Sequence, residues 1–229
     1  MWLLLCDDLL VKYDPAIERG PLPHAPFKAL TVPRPIGWLS TVSADGVANL
    51  APFSQWQNLT FDPPIVMFAA NRHSGGVPKD TVRNAEETGW FVWNMATWAL
   101  RKAVSITAAQ FPADVDEFAR AGLRAVMADL CPVPMVADSP AHYECKVMDI
   151  HRLNGRTPDT AVDVVYATVE RLHLDDGVIT DDGRVDIAQI RPIARMGYFD
   201  YAVIDETFAM RTPEASEAEL AGLEGTPRD

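Results

Sequence analysis

The sequence predicts a mainly β protein, an antiparallel barrel of the Greek-key type with a few peripheral helices. Apolar runs of strand length recur along the chain, at residues 36–42, 65–70 and 90–95, with two longer runs at 142–153 and 162–174. Asp-Gly pairs at Asp45-Gly46, Asp176-Gly177 and Asp182-Gly183 punctuate them, and glycine supplies the positive φ that a tight turn requires. The regular alternation of strands with long helices that marks a doubly wound sheet is absent, so short strands joined by turns point to a closed antiparallel sheet.

Composition narrows the function classes. At 229 residues the chain can bury a full core as one domain. Hydrophobic residues are 48% and charged residues 23%, ordinary for a globular protein. A net charge of −12 argues against a nucleic-acid partner. Part of that charge belongs to the C-terminus: from Asp205 onward seven acids face only Arg211 and Arg228, a net of −5. Cys6, Cys131 and Cys145 form no CxxC, and the five histidines show no HxxxH spacing, so neither a disulfide framework nor a metal site is expected. Residues 2–6 are apolar, but Asp7 and Asp8 follow at once; no window approaches the ~20 apolar residues of a membrane span. A cytoplasmic protein with no membrane contact is the expectation.

Taken in order, residues 14–35 hold Pro15, Pro21, Pro23, Pro26, Pro33 and Pro35 and should wrap the surface, because proline excludes a long helix or a central strand. Residues 36–42 form a strand, 43–46 a turn, and 47–51 the return strand, which Pro52 should end. Residues 54–60 make a third strand before the rigid corner at Pro63-Pro64. The unbroken apolar run at 65–70 reads as a strand buried on both faces. A loop with Gly75-Gly76 leads to a helix at 81–88 stopped by Gly89. Residues 90–95 are an aromatic strand whose Trp90 and Trp93, like Trp98, read as core. Helical spacing covers 97–110, and Asp114 with Glu117 resembles a capping box for a helix ended by Gly122. Residues 131–140 read as irregular, 178–179 as a strand, and Thr212-Pro213-Glu214 as a helix start.

Two places offer ligand chemistry. The mouth of the first hairpin, from Asn49 to Ser54, presents backbone N–H groups and two polar side chains, a cradle for a flat ligand with polar edges. Lys79 and the Thr81 N–H and hydroxyl stand at a predicted helix start, where an anion finds both a cation and free donors. No GxGxxG or GxxxxGK[ST] loop occurs.

The runs RPIGWLSTVSADGVANLAPFS, FDPPIVMF, KDTVRN and GRVDIAQIRPIARMGYFDY, in that order, resemble the flavin reductase-like proteins with an FMN-binding split barrel, flavoredoxin among them. The resemblance spans about residues 13–212, leaving 1–12 as an N-terminal extension and 213–229 as an acidic tail. It implies FMN as cofactor, NADH or NADPH as electron donor, a homodimer, and an oxidoreductase that reduces flavin or another acceptor. A flavoredoxin-like carrier without a nicotinamide step and a non-catalytic flavin-binding module remain as alternatives. Carried over by motif, the cofactor-binding positions are Arg34, Pro35, Ile36 and Gly37; Asn49, Leu50, Ala51, Pro52 and Ser54; and Lys79, Asp80 and Thr81. Gln55-Trp56-Gln57-Asn58 is more polar than the family pattern, and Ala167 stands where a glycine is usual. Catalytic side chains are not assigned, since the flavin itself carries out hydride transfer.

Overall fold

The computed structural model describes residues 10–210 together with Pro213 and Ser216. Residues 14–35 lie along the surface, as their prolines require, with a single helical turn, α1 (Phe27–Leu30). The strands follow in chain order: β1 (Arg34–Pro35), β2 (Gly37–Val42), β3 (Ala48–Phe53), β4 (Trp56–Phe61), β5 (Pro64–Asn71), β6 (Trp90–Asn94), β7 (Ala125–Met127), β8 (Pro134–Val136), β9 (Ala141–Leu153), β10 (Val162–Leu174), β11 (Ile193–Arg195) and β12 (Tyr201–Val203). Helices α2 (Asp80–Thr88), α3 (Arg101–Ile106), α4 (Glu117–Ala121) and α5 (Ile187–Ile190) lie between them. No helix among the described residues is long and apolar enough to cross a membrane.

Seven strands make one antiparallel sheet in the order β3-β2-β6-β9-β10-β5-β4; β1, β11 and β12 form a second sheet and β7 with β8 a third. The large sheet curls until its two ends pack against each other. Phe53 of β3 meets Phe68 of β5 with ring centroids 5.2 Å apart, and Trp56 of β4 stacks on Trp93 of β6 at 5.8 Å. Leu39, Phe68, Phe91 and Val165 fill the interior and are fully buried. Each such side chain contributes roughly 1.5–3 kcal/mol by leaving water. A second cluster, with Trp38, Leu50, Val104 and Phe118, joins the outside of β2 and β3 to α3 and α4.

Several local expectations change in the folded chain. Pro52 does not end its strand but pairs with Trp38 inside β3. β3 is an edge strand, and Leu50, of the same parity as Pro52, sends its N–H away from β2 to Glu117; the Pro52 nitrogen therefore faces a side with no ladder to break. β5 is not buried on both faces: Val66, Phe68 and Ala70 are buried, while Ile65, Met67 and Ala69 are only half-buried. The barrel covers one face of that strand. The helical spacing at 97–110 yields only the six residues of α3. Trp98 is 41% exposed, with the Arg101 guanidinium 3.8 Å from its ring centroid, whereas Trp93 lies in the core.

The capping residue of α4 is Asp116, not Asp114; its carboxylate accepts from Phe118 N and Ala119 N. Glu117 is freed to turn inward. Residues 131–140 contain β8, and residues 176–178 form a short 3₁₀ turn with only an isolated bridge from Ile179 to Val185. The predicted helix start at residues 212–214 lies outside the described residues apart from Pro213.

Candidate functional site

Two cavities meet at the end of the β2–β3 hairpin. The larger, about 630 Å³, is lined by Arg34, Ile36, Pro52, Phe53 and Ser54 from the first part of the chain, by residues of α1, and by Arg195, Tyr198 and Tyr201. The smaller, about 110 Å³, is lined by Asn49, Ala51, Pro52, Phe53, His73, Lys79, Asp80, Thr81, Glu117 and residues 107–111. Pro52, Phe53 and Ala108 line both, so the two spaces adjoin.

The larger cavity has a basic, aromatic lining. Its charged lining residues are Lys28, Arg34 and Arg195, with no carboxylate among them. Arg34 is held by carbonyls: it donates to Lys28 O, to Thr31 O at 2.7 Å and to Met196 O at 3.1 Å, tying the surface segment to the loop after β11. Its Nε is buried and has no partner. The Arg195 guanidinium lies 4.7 Å from the Tyr201 ring centroid and donates to Tyr198 O.

The smaller cavity surrounds the start of α2. Lys79 is the N-cap in extended conformation and offers no side-chain cap, so the N–H groups of the first turn lack intrahelical partners. Lys79 Nζ lies 3.2 Å from His73 Nδ1, and burial pulls the Lys79 pKa down while Asp80 opposes that shift. Asp80 accepts from Arg83 Nη2 at 2.6 Å. Glu117 is buried, and its Oε2 accepts the Leu50 N–H at 3.1 Å. Desolvation raises its pKa, with Asp80 and Asp116 adding to the effect and backbone N–H groups countering it. Thr81 and Asn49 are buried, joined by a 3.0 Å bond from Asn49 Nδ2 to Thr81 Oγ1.

Of the positions singled out by sequence, Arg34, Ile36, Pro52 and Ser54 line the larger space, and Asn49, Ala51, Pro52, Lys79, Asp80 and Thr81 the smaller. Pro35, Gly37 and Leu50 line neither. Gly37 lies under Trp56, where an added Cβ would come within 2.9 Å of the Trp56 Cβ, and the Leu50 side chain is fully buried in the core. The departures from the family pattern also stay outside both cavities: Trp56 and Ala167 are in the core, and Gln57 and Asn58 sit exposed on β4.

Sequence reasoning left out Phe53, His73, Glu117, Arg195, Tyr198 and Tyr201. Phe53 and the last three lie inside runs already singled out and could have been taken with them. His73 and Glu117 carry no local signal; only the packing of α2 and α4 against β3 brings them in. Asp129, Glu144 and His173 also gather ligand-type atoms within 4.8 Å of one another. Glu144 is already engaged there, accepting from Asp129 N at 3.0 Å, Leu130 N at 2.7 Å and bonding His173 Nε2 at 2.7 Å.

Residues 29–188 match the family described as the flavin reductase like domain. An uncharacterized protein of Halalkalibacterium halodurans is 33% identical over 186 residues, which cover 81% of this chain and 88% of that one. The crystal structure of nitrilotriacetate monooxygenase component B from Bacillus cereus superposes with a TM-score of 0.79 at 28% identity, covering 88% of this chain and 98% of that one. Flavoredoxin of Desulfovibrio vulgaris superposes with a TM-score of 0.67 at 19% identity, covering 80% and 93%, and shares the fold.

Proposed function

The chain belongs to the flavin reductase-like family, and from that premise we propose that it is an oxidoreductase that holds FMN across the two adjoining cavities and reduces flavin or another acceptor with NADH or NADPH. The observation that carries this reading is the sharing of Pro52, Phe53 and Ala108 by a large basic and aromatic cavity and a small polar one. A ligand with a flat ring at one end and a phosphate at the other matches that pair of spaces.

The residues present fit such a group. Arg34 lines the larger cavity with a buried, unpartnered Nε–H, and an unmet buried donor costs about 1–3 kcal/mol until an acceptor reaches it. The edge of an isoalloxazine carries acceptors. At the smaller cavity Lys79, the free N–H groups of α2 and the Thr81 hydroxyl suit a phosphate. Two carboxylates oppose it: Asp80, which Arg83 engages, and Glu117, whose pKa burial raises.

The flavin supplies the hydride chemistry when bound. The chain's own part is placement: Phe53, Tyr198 and Tyr201 line the ring space with aromatic surface, Arg34 offers its donor, and Lys79 with Thr81 anchors the far end. Phe27 and Phe199, exposed by 79% and 92%, stand near this space, Phe27 lining it and Phe199 following Tyr198, and a second copy of the chain is the proposed cover. The test is a titration with FMN, followed by aerobic consumption of NADH or NADPH with flavin added. Absence of FMN binding to folded protein removes the proposal. Binding without nicotinamide consumption favours a carrier reduced by another protein, for which the same exposed aromatics offer a docking surface.

A further inference from the structure

Thr41 and Asn49 stand opposite each other in the β2–β3 register, so their side chains leave the same face of the sheet. Helix α2 lies on that face and presents Thr81 and Asn84, three residues apart and both 2% exposed. The four polar side chains form one buried cluster. Asn49 Nδ2 donates to Thr41 Oγ1 at 3.2 Å and to Thr81 Oγ1 at 3.0 Å, and Asn84 Nδ2 donates to Thr41 Oγ1 at 3.2 Å. Asn49 has only two N–H bonds to give, and both are committed. Its amide nitrogen therefore has nothing left for a ligand, although the residue lines the smaller cavity.

The consequence falls on Thr81. Its oxygen accepts from Asn49 on the buried side, and among the described residues its hydroxyl donates to no protein acceptor. The cluster's one unpartnered acceptor, the buried Asn84 Oδ1, makes no hydrogen bond with it either, which leaves the O–H for the cavity that Thr81 lines. We propose that Asn49 is a positioning residue, which by donating to Thr81 Oγ1 turns the Thr81 hydroxyl into a fixed donor toward an anion in the smaller cavity. This rests on the placement of the flavin phosphate there. Thr41 holds the amide in that orientation, and Asn84 adds a second donor to Thr41.

The effect should be a preference for FMN over riboflavin, since the two share a ring and differ in the phosphate. A hydrogen bond to a charged group corresponds to about tenfold or more in affinity. The test is a double-mutant cycle read as the ratio of the two dissociation constants. Asn49→Ala should lower the FMN preference by about tenfold in the wild-type background and leave it unchanged once Thr81→Val is present. Thr81→Ser, which keeps the hydroxyl, should retain the preference and its dependence on Asn49. Riboflavin affinity reports whether each variant is folded, and Asn49→Ser serves if Asn49→Ala is not. An equal loss of preference from Asn49→Ala in both backgrounds, or no loss in either, overturns the proposal. If the wild type binds neither flavin, the assignment of the site itself has failed, which is a separate result from a wild type that prefers FMN without help from Asn49.

Discussion

Single residues at the smaller cavity are charged against their surroundings. Lys79 is half-buried with a lowered pKa, so a cation sits in the flavin-free protein where burial disfavours it. An anion would relieve that cost. Lys79→Ala is expected to weaken FMN binding by about ten- to a hundredfold, the scale of a charge-assisted hydrogen bond, and to leave riboflavin binding nearly unchanged. Paired titrations measure this, and equal losses for both ligands would place Lys79 in folding and not at the phosphate. Removing a desolvated cation should not lower the melting temperature of the flavin-free form.

Glu117 is the opposite case, a carboxylate whose pKa is raised by burial. Between the ordinary glutamate value of about 4.3 and its raised folded value, the native state binds more protons than the unfolded chain, so this group lowers stability as pH rises through that window. Glu117→Gln should stabilise the flavin-free protein at pH 7, with the gain shrinking as pH falls through the raised folded value and vanishing near the ordinary glutamate value of about 4. Denaturation curves that stay parallel from pH 4 to 8 would show that the carboxylate is not desolvated.

At the scale of elements, the site depends on where β2 and β3 present their ends. Gly37 opens β2 beneath Trp56, and its Cα approaches too closely for a side chain. Gly37→Ala should cost about 1–3 kcal/mol from overpacking. For a chain of this size that is a fall in melting temperature of roughly 2–4 °C per kcal/mol. An unchanged melting temperature would mean that Trp56 shifts freely, which its 3° stack on Trp93 argues against. The free side of β3 is closed by a separate element: α4, capped at Asp116, points Glu117 at the Leu50 N–H. One cap residue thus decides whether the next side chain serves the helix or the strand edge.

For the whole molecule, the question is what covers the mouth of the larger cavity. Phe27, which lines the cavity, is 79% exposed, and Leu30 of the same helical turn and Phe199, next to the lining residue Tyr198, are 79% and 92% exposed. Covering them with a second copy would remove apolar surface from water at roughly 25 cal/mol per Å². Light scattering at micromolar concentration should give twice the 25.2 kDa chain mass, and Phe199→Asp should shift it toward the single-chain value. A 25.2 kDa particle for the wild type would leave the mouth open to another partner.

The sequence by itself determined the longer strands β2, β3, β5, β6, β9 and β10, the hairpin at Asp45-Gly46 and the stop at Gly89, but not the short strands β7, β8, β11 and β12. The features it determined rest on local chemistry: glycine at positive φ, proline without an N–H, and apolar runs of fixed period. Asn49, Lys79 and Thr81 could be singled out for the same reason, since each stands in a short motif with its own local logic, whereas Arg34 came from the resemblance to the family. Tertiary structure alone decided the rest. Pro52 stays in its strand because β3 is an edge, and Glu117 turns inward because Asp116 takes the cap. His73 joins Lys79, and Thr41 and Asn49 of the hairpin meet Thr81 and Asn84 of α2 across as many as 43 positions of sequence. Those contacts depend on how the sheet curls and on which face each helix covers, and neither is encoded in any single stretch of residues.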